Sequence, residues 1–69
     1  MRLSARNVLK GKVKQVKAGA VNSEVVLEIS PGVEIVSIIT KESVEKLQLA
    51  NGKAAYAVIK ASNVMIAVD

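Results

Sequence analysis

The strongest structural signal in the sequence is a pair of apolar runs joined by a turn: Glu24-Val25-Val26-Leu27-Glu28-Ile29-Ser30-Pro31-Gly32-Val33-Glu34-Ile35-Val36-Ser37-Ile38-Ile39. Each run is rich in β-branched residues, which favour extended strands. The Pro-Gly pair between them is a dipeptide that marks turns. Two such runs on either side of a turn predict a β-hairpin, and the rest of the fold extends from it in both directions.

Before the hairpin, the sequence predicts another strand from Leu9 to Val16. Lys10, Lys12 and Lys14 alternate with less polar residues, which is the period of a strand with one face in water. A glycine inside a strand favours a bend or a bulge, so Gly11 indicates a curved sheet. The three lysines fit an anion-binding surface, but a solvated face that protects the strand edge is the simpler interpretation.

The sequence after the hairpin changes character and predicts a short helix. Thr40 is suited to an N-cap position, and Glu42 suits the positive end of a helix. Val44 and Leu47 form a short apolar stripe at helical spacing. Ala50-Asn51-Gly52 then predicts a stop and a turn, so the helix has about two turns.

Two further strands are predicted after the helix, over Lys53–Lys60 and Val64–Val68. The second is continuously apolar, which predicts that both of its faces are covered. The order of three strands, a helix and two strands is that of an OB-like barrel. We therefore expect an all-β fold with one short helix, a five-stranded OB-like barrel with the helix between strands 3 and 4, as a single domain over residues 1–69.

The composition indicates association with other copies of the chain. A domain of 69 residues buries only about 60% of the surface that its unfolded chain exposes. The sequence has no cysteine, no histidine and a single aromatic residue, Tyr56, yet 51% of its residues are hydrophobic. Burial of apolar surface against other subunits is the simplest explanation, so we expect a homo-oligomer.

The charge and the missing residue types limit the classes of function. The formal net charge of +4 favours an anionic partner, which could be a small ion or a nucleic acid. No apolar run approaches the roughly 20 residues that a membrane span needs, so we expect no membrane partner. Without histidine, cysteine or paired carboxylates, no catalytic constellation is indicated, and we expect no enzyme activity. The lack of cysteine fits a cytoplasmic protein.

Two segments near the ends of the chain are rich in hydrogen-bond donors. Leu3-Ser4-Ala5-Arg6-Asn7 combines a hydroxyl, a guanidinium and a carboxamide, and no acidic residue precedes Glu24. Lys60-Ala61-Ser62-Asn63 is the second segment. A cluster of donors without a carboxylate suits a fully deprotonated anion, whereas phosphate near neutral pH also needs an acceptor.

These segments also carry a family resemblance. Together with the runs Leu9-Lys10-Gly11 and Glu24-Val25-Val26-Leu27-Glu28-Ile29, the motifs Ser4-Ala5-Arg6-Asn7 and Val58-Ile59-Lys60-Ala61 resemble the molbindins. Molbindins are small molybdate-binding proteins whose repeat is related to the TOBE domain, and the resemblance covers essentially the whole chain. It implies intracellular storage or buffering of molybdate, or of the nearly isosteric tungstate, with no catalytic cofactor and no metal bound except as its oxyanion.

The resemblance also implies which residues bind. It assigns the oxyanion contacts to Ser4, Arg6, Ser43, Lys60 and Ala61, and the donor-rich second segment adds the backbone of Ser62 as a candidate. A second oxyanion site is implied at a loop formed by Gly19, Ala20, Val21 and Asn22. Asn7 belongs to the first motif, and we interpret it as a structural residue that holds the Arg6 loop. The resemblance implies a hexamer in which Arg6 and Lys60 meet across a subunit interface.

Each of these residues has a plainer interpretation. Ser4 and Arg6 could belong to a disordered terminus, Lys60 could end a strand, and Ser43 could lie on a helix surface. The loop at residues 19–22 could be an ordinary turn, since glycine and asparagine are favoured there. The alternative function is an OB-like nucleic-acid-binding module, although base stacking in such modules needs aromatic residues and only Tyr56 is available.

Overall fold

The predicted hairpin is present, and it is longer than its apolar runs. The computed structural model describes residues 1–69, and in it strand β2 covers Asn22–Ser30 and strand β3 covers Val33–Thr40. The two strands pair antiparallel around Pro31 and Gly32. Gly32 has φ of +80°, a left-handed conformation that glycine adopts without steric cost.

Strand β1 runs over Asn7–Ala18 and links the hairpin to the rest of the sheet. Its second half pairs with β2, and its first half pairs with strand β4, Ala54–Ile59. The bulge falls between Val13 and Gln15 rather than at Gly11. Gly11 serves close approach instead, because a Cβ there would lie 2.5 Å from the carbonyl oxygen of Glu28.

The sheet has four antiparallel strands in the order β3-β2-β1-β4. Its inner face carries a small core of four buried residues: Val13, Val25, Leu27 and Ala57. Alternate residues of each strand point to opposite faces, so the lysines of β1 lie on the outer face. Lys10, Lys12 and Lys14 are all exposed, which agrees with the solvated-face interpretation.

The helix α1 covers Lys41–Lys46 and has the predicted cap. The Oγ1 atom of Thr40 accepts a hydrogen bond of 3.0 Å from the backbone N–H of Ser43. After α1, Gln48 has a left-handed φ of +53°, and the Nζ atom of Lys53 donates to the carbonyls of Leu47 and Gln48. Neither α1 nor the short turn after β4 has the length and apolarity of a bilayer-spanning helix.

The predicted fifth strand is not confirmed, because the structure of this chain has four strands. A short 3-10 turn at Ala61–Asn63 follows β4, and Val64–Val68 forms no strand. The side chains of Met65, Ile66 and Val68 are 93%, 86% and 91% exposed. The continuously apolar run predicted a strand with both faces covered, but the apolar pattern does not specify which strand it pairs with. In this chain the turn directs the run away from the edge of β4.

The predicted closed barrel is therefore open on one side. Strands β3 and β4 are the two edges of the sheet and do not pair with each other. Between them lies an apolar cleft of about 770 Å³, lined by all six residues of β4 and by Ile35, Val36, Ser37 and Ile39 of β3. A fifth strand would occupy this position in a closed OB-like barrel.

Candidate functional site

The pairing of β1 with β4 brings the two donor segments to the same end of the sheet. Asn7 opens β1 and pairs with Ile59, which closes β4. Arg6 immediately precedes Asn7, and Lys60 immediately follows Ile59, so the two cations extend from neighbouring strand ends. The expectation that Arg6 and Lys60 meet across a subunit interface is thereby corrected, because the pairing of β1 with β4 already makes them neighbours within one chain. Ser4 and the turn that contains Ala61 and Ser62 continue from the same two strand ends. Within one chain, five of the six predicted oxyanion-binding residues thus belong to one cluster.

The side chain of Asn7 forms a hydrogen bond between the two strand ends. Its Nδ2 atom donates a hydrogen bond of 3.3 Å to the carbonyl oxygen of Ile59, and the contact is partly buried. This bond agrees with the interpretation of Asn7 as a structural residue. It adds a side-chain bond to the end of the β1–β4 ladder that makes Arg6 and Lys60 neighbours, so we describe Asn7 as a positioning residue for the cluster.

The turn after β4 supplies backbone donors. Its own hydrogen bonds run from the N–H of Asn63 to the carbonyl of Lys60, at 2.8 Å, and from the N–H of Val64 to the carbonyl of Ala61, at 3.2 Å. The first N–H groups of a helical turn have no partner within the turn. The N–H groups of Ala61 and Ser62 therefore remain available, and they directly follow Lys60 in the chain.

The cluster is positively charged and has no carboxylate partner. Arg6 and Lys60 are exposed, and the one ion pair in the structure joins Lys14 to Glu34 on another part of the sheet. A hydrogen bond from Lys14 to Glu34 and the charge of that carboxylate raise the pKa of Lys14 above its ordinary value. Glu34 thus pairs with a lysine of the outer face and leaves the cations of the cluster unneutralised.

Ser43, the sixth predicted residue, lies at the opposite end of the sheet. It belongs to α1, which directly follows Thr40, the last residue of β3. Thr40 pairs with Asn22, the first residue of β2, which lies beside the far end of β1. The hydroxyl of Thr40 donates to the Oγ atom of Ser43 at 2.8 Å. This contact leaves the Ser43 hydroxyl proton free, but twelve residues of β1 separate Ser43 from the Arg6 end.

The loop predicted as a second oxyanion site lies close to Ser43. It joins β1 to β2, and the carbonyl of Val21 accepts a hydrogen bond of 2.8 Å from the N–H of Lys41, the first residue of α1. Gly19 is required in this loop because a Cβ there would lie 2.3 Å from the carbonyl oxygen of Asn22. Each chain therefore carries the Arg6–Lys60 cluster at one end and the 19–22 loop with Ser43 at the other.

The apolar cleft was not predicted from the sequence. Its lining comes from strand residues such as Ile35, Ile39 and Ala55, which are ordinary core residues by pattern. The only sequence signal was the excess of hydrophobic residues over what a chain of this length can bury. In the structure, this excess of hydrophobic residues is found in the exposed Val64–Val68 segment and in the lining of the open cleft between β3 and β4.

The chain is similar to known proteins over nearly its whole length. Residues 3–66 match the family model of the TOBE domain. The chain is similar to molybdenum-pterin-binding protein 1 of Clostridium pasteurianum, with 53% identity over 66 residues that cover 96% of this chain and 97% of the relative.

Two solved structures are also similar. MopII from Clostridium pasteurianum superimposes with a TM-score of 0.90 and 51% identity, over 97% of this chain and all of that one. The cytoplasmic molybdate-binding protein ModG, solved with molybdate bound, gives a TM-score of 0.90 and 57% identity over 94% of this chain and 46% of that chain.

Proposed function

The chain belongs to the TOBE domain family, as a Mop-type molbindin, and from this membership we propose that it binds molybdate at the Arg6–Lys60 cluster. The observation that carries the proposal is the pairing of Asn7 with Ile59. This pairing puts two unneutralised cations and the available N–H groups of Ala61 and Ser62 at one end of the sheet. The function is binding of the intact oxyanion, with no catalytic step.

The chemistry of the cluster suits a deprotonated tetrahedral dianion. Molybdate offers four acceptor oxygens and no proton near neutral pH, and all groups of the cluster are donors. Two positive charges balance its charge, and hydrogen bonds to charged groups contribute about 1.5–3 kcal/mol each. Tungstate has the same shape and charge and would bind to the same groups. Phosphate keeps a proton for part of the time near neutral pH, and the cluster offers that proton no acceptor-only group such as a carboxylate.

The complete site includes Ser43 from another copy of the chain. Within one chain the Ser43 hydroxyl is remote from Arg6, since it lies beyond the far end of β1. Two chains that meet with opposite ends together would bring Ser43 of one copy to the Arg6–Lys60 cluster of the other. The loop at Gly19–Asn22, beside Ser43, would then face the same junction and supply the second oxyanion site.

A homo-oligomer is supported by the open cleft and the exposed apolar segment. The cleft runs along β4, an edge strand of six residues. Val64–Val68 has five residues, all exposed, and matches the cleft in length and in apolar character. We propose that this segment of one copy fills the cleft of a second copy, and that the full assembly is a hexamer.

The biological role that follows is storage or buffering of molybdate. Cytoplasmic localisation is supported by the similarity to ModG, which is a cytoplasmic molybdate-binding protein. Several sites in one assembly would hold several ions, which suits a buffer.

The proposal is tested by thermal unfolding with and without molybdate. A ligand that binds only the folded state raises Tm by mass action, so molybdate should raise the Tm of the native protein. Arg6→Ala should abolish most of that rise, because removing a cation from a bound dianion costs roughly 2–5 kcal/mol. Lys12→Ala, at an exposed lysine in the middle of β1 and away from both proposed sites, is the matched control and should keep the full rise.

Two results would count against this site. One is an equal Tm rise in Arg6→Ala and in the native protein, which would assign binding to other residues. The other is retention of a single-stranded oligonucleotide without any response to molybdate, which would favour the nucleic-acid module. A native mass measurement with and without molybdate gives the number of subunits and of bound ions together.

A further inference from the structure

The turn after β4 is both part of the proposed molybdate site and the link to the exposed C-terminal segment. Lys60, Ala61 and Ser62 belong to the proposed molybdate cluster. The same residues, with Asn63, are the only connection between β4 and the exposed segment Val64–Val68. Any ligand that fixes the conformation of this turn therefore also fixes the direction in which the segment leaves the sheet.

The turn is held by few contacts within the chain. Its two hydrogen bonds are those of a three-residue 3-10 turn, a geometry with poor hydrogen-bond alignment, and the weaker of them measures 3.2 Å. No side chain caps the turn at Lys60, and residues 60–63 are all exposed. Few contacts thus oppose a change in the backbone of the turn.

The Val64–Val68 segment has two places in which its apolar side chains could be buried. The four residues 60–63 are enough for a hairpin loop, which would fold the segment back onto the free edge of its own β4 and into its own cleft. In this structure the turn directs the segment away, so that Met65 and Ile66 are 93% and 86% exposed. From that position it could enter the cleft of another copy, which is the arrangement of domain exchange.

We propose that an oxyanion bound at residues 60–62 selects the extended course of the turn, and that ligand occupancy thereby controls exchange of Val64–Val68 between copies. The inference rests on the proposed molybdate function. Its physical basis is differential affinity: a ligand shifts a two-state equilibrium only if it binds one state better. The N–H groups of Ala61 and Ser62 are available together in the observed turn, whereas closure into a hairpin would rebuild the backbone at both positions.

The test is the rate of subunit exchange, measured by native mass spectrometry after isotopically labelled and unlabelled protein are mixed. Exchange requires the segment to leave its neighbour's cleft. Saturating molybdate should slow exchange by about tenfold or more, which is the factor expected for one hydrogen bond to a charged group. Molybdate binding is measured in the same samples from the bound mass.

Three variants separate control by the turn from simple bridging between copies. Ala61→Pro removes one N–H donor that the turn does not use, and the φ of −62° and ψ of 131° at Lys60 suit a residue that precedes proline. Ala61→Ser keeps the N–H and is the matched control. Arg6→Ala weakens binding without altering the turn. Each is compared with and without molybdate, at concentrations adjusted to equal occupancy.

If the turn is the control element, bound molybdate still slows subunit exchange in Arg6→Ala and Ala61→Ser. In Ala61→Pro, bound molybdate should change the exchange rate little. Equal slowing in all three variants would overturn the inference, since the oxyanion would then act only as a bridge. An unchanged exchange rate in native protein that binds molybdate would also overturn it and leave the proposed function intact. Absence of molybdate binding would remove the proposed function itself.

Discussion

At the scale of single residues, the structure separates polar groups that have partners from those that do not. Arg6 and Lys60 are exposed and unpaired, so they remain solvated in the free protein and can bind an anion without first breaking an ion pair. Ser23 is the opposite case. It is 2% exposed, and its Oγ atom has no hydrogen-bond partner within the chain.

Ser23→Ala should make the protein more stable. A buried hydroxyl without a partner costs about 1–3 kcal/mol of desolvation, and alanine removes the hydroxyl while it leaves only a small void. We expect the free energy of unfolding in urea to rise by about 1 kcal/mol. Ser30→Ala, at an exposed position, is the control and should change it by less than about 0.5 kcal/mol. A clear loss of stability in Ser23→Ala would mean that the hydroxyl has a partner.

At the scale of elements, local signals predicted the hairpin and the helix start, but α1 ends at Lys46, before the stop predicted at Ala50-Asn51-Gly52. The Pro-Gly turn and the Thr40 cap depend on neighbouring residues only, and both formed as expected. The bulge between Val13 and Gln15 depends on how β1 is shared between β2 and β4. Such sharing is a property of the sheet, so a local pattern could not locate it.

Gln48→Gly tests the end of α1. Gln48 has a left-handed backbone, which costs a residue with a side chain roughly 1–2 kcal/mol and costs glycine little. The contact from Lys53 is made to the backbone carbonyl of Gln48, so glycine keeps it. We expect thermal unfolding to show a stability gain of about 1 kcal/mol.

Gln15→Gly is the matched control for this substitution. Gln15 is exposed within β1, where glycine should lower stability by roughly 0.5–1 kcal/mol. A gain of stability in Gln48→Gly together with a loss in Gln15→Gly would separate a backbone effect from the loss of a glutamine side chain. A loss of stability in both would contradict the assigned backbone conformation at Gln48.

At the scale of the whole molecule, a single chain leaves too much apolar surface in water. Only four hydrophobic residues are buried, the cleft between β3 and β4 is open, and Val64–Val68 is exposed. A segment of five apolar residues in water is unfavourable by about 25 cal/mol per Å² of apolar surface. The homo-oligomer proposed above would resolve this deficit without any change in the strands that are already formed.

Ile66→Asp should therefore weaken the assembly. A carboxylate within an apolar cleft carries a large desolvation cost, so light scattering after gel filtration should show a shift towards smaller species. Val33→Asp, another exposed apolar residue outside the cleft, is the control and should leave the mass unchanged. An Ile66→Asp variant with the native mass would exclude the segment from the interface.

The sequence by itself determined the class of the fold, the hairpin, the capped helix and the residue types suited to a dianion. These follow from the period of apolar residues, from turn dipeptides and from side-chain chemistry, all of which are local. The tertiary structure alone decided that Arg6 and Lys60 are neighbours within one chain, that Ser43 lies at the other end, and that the last apolar run forms no strand here. The physical reason is that strand register and edge pairing join residues more than fifty positions apart, and no local pattern encodes which edges meet.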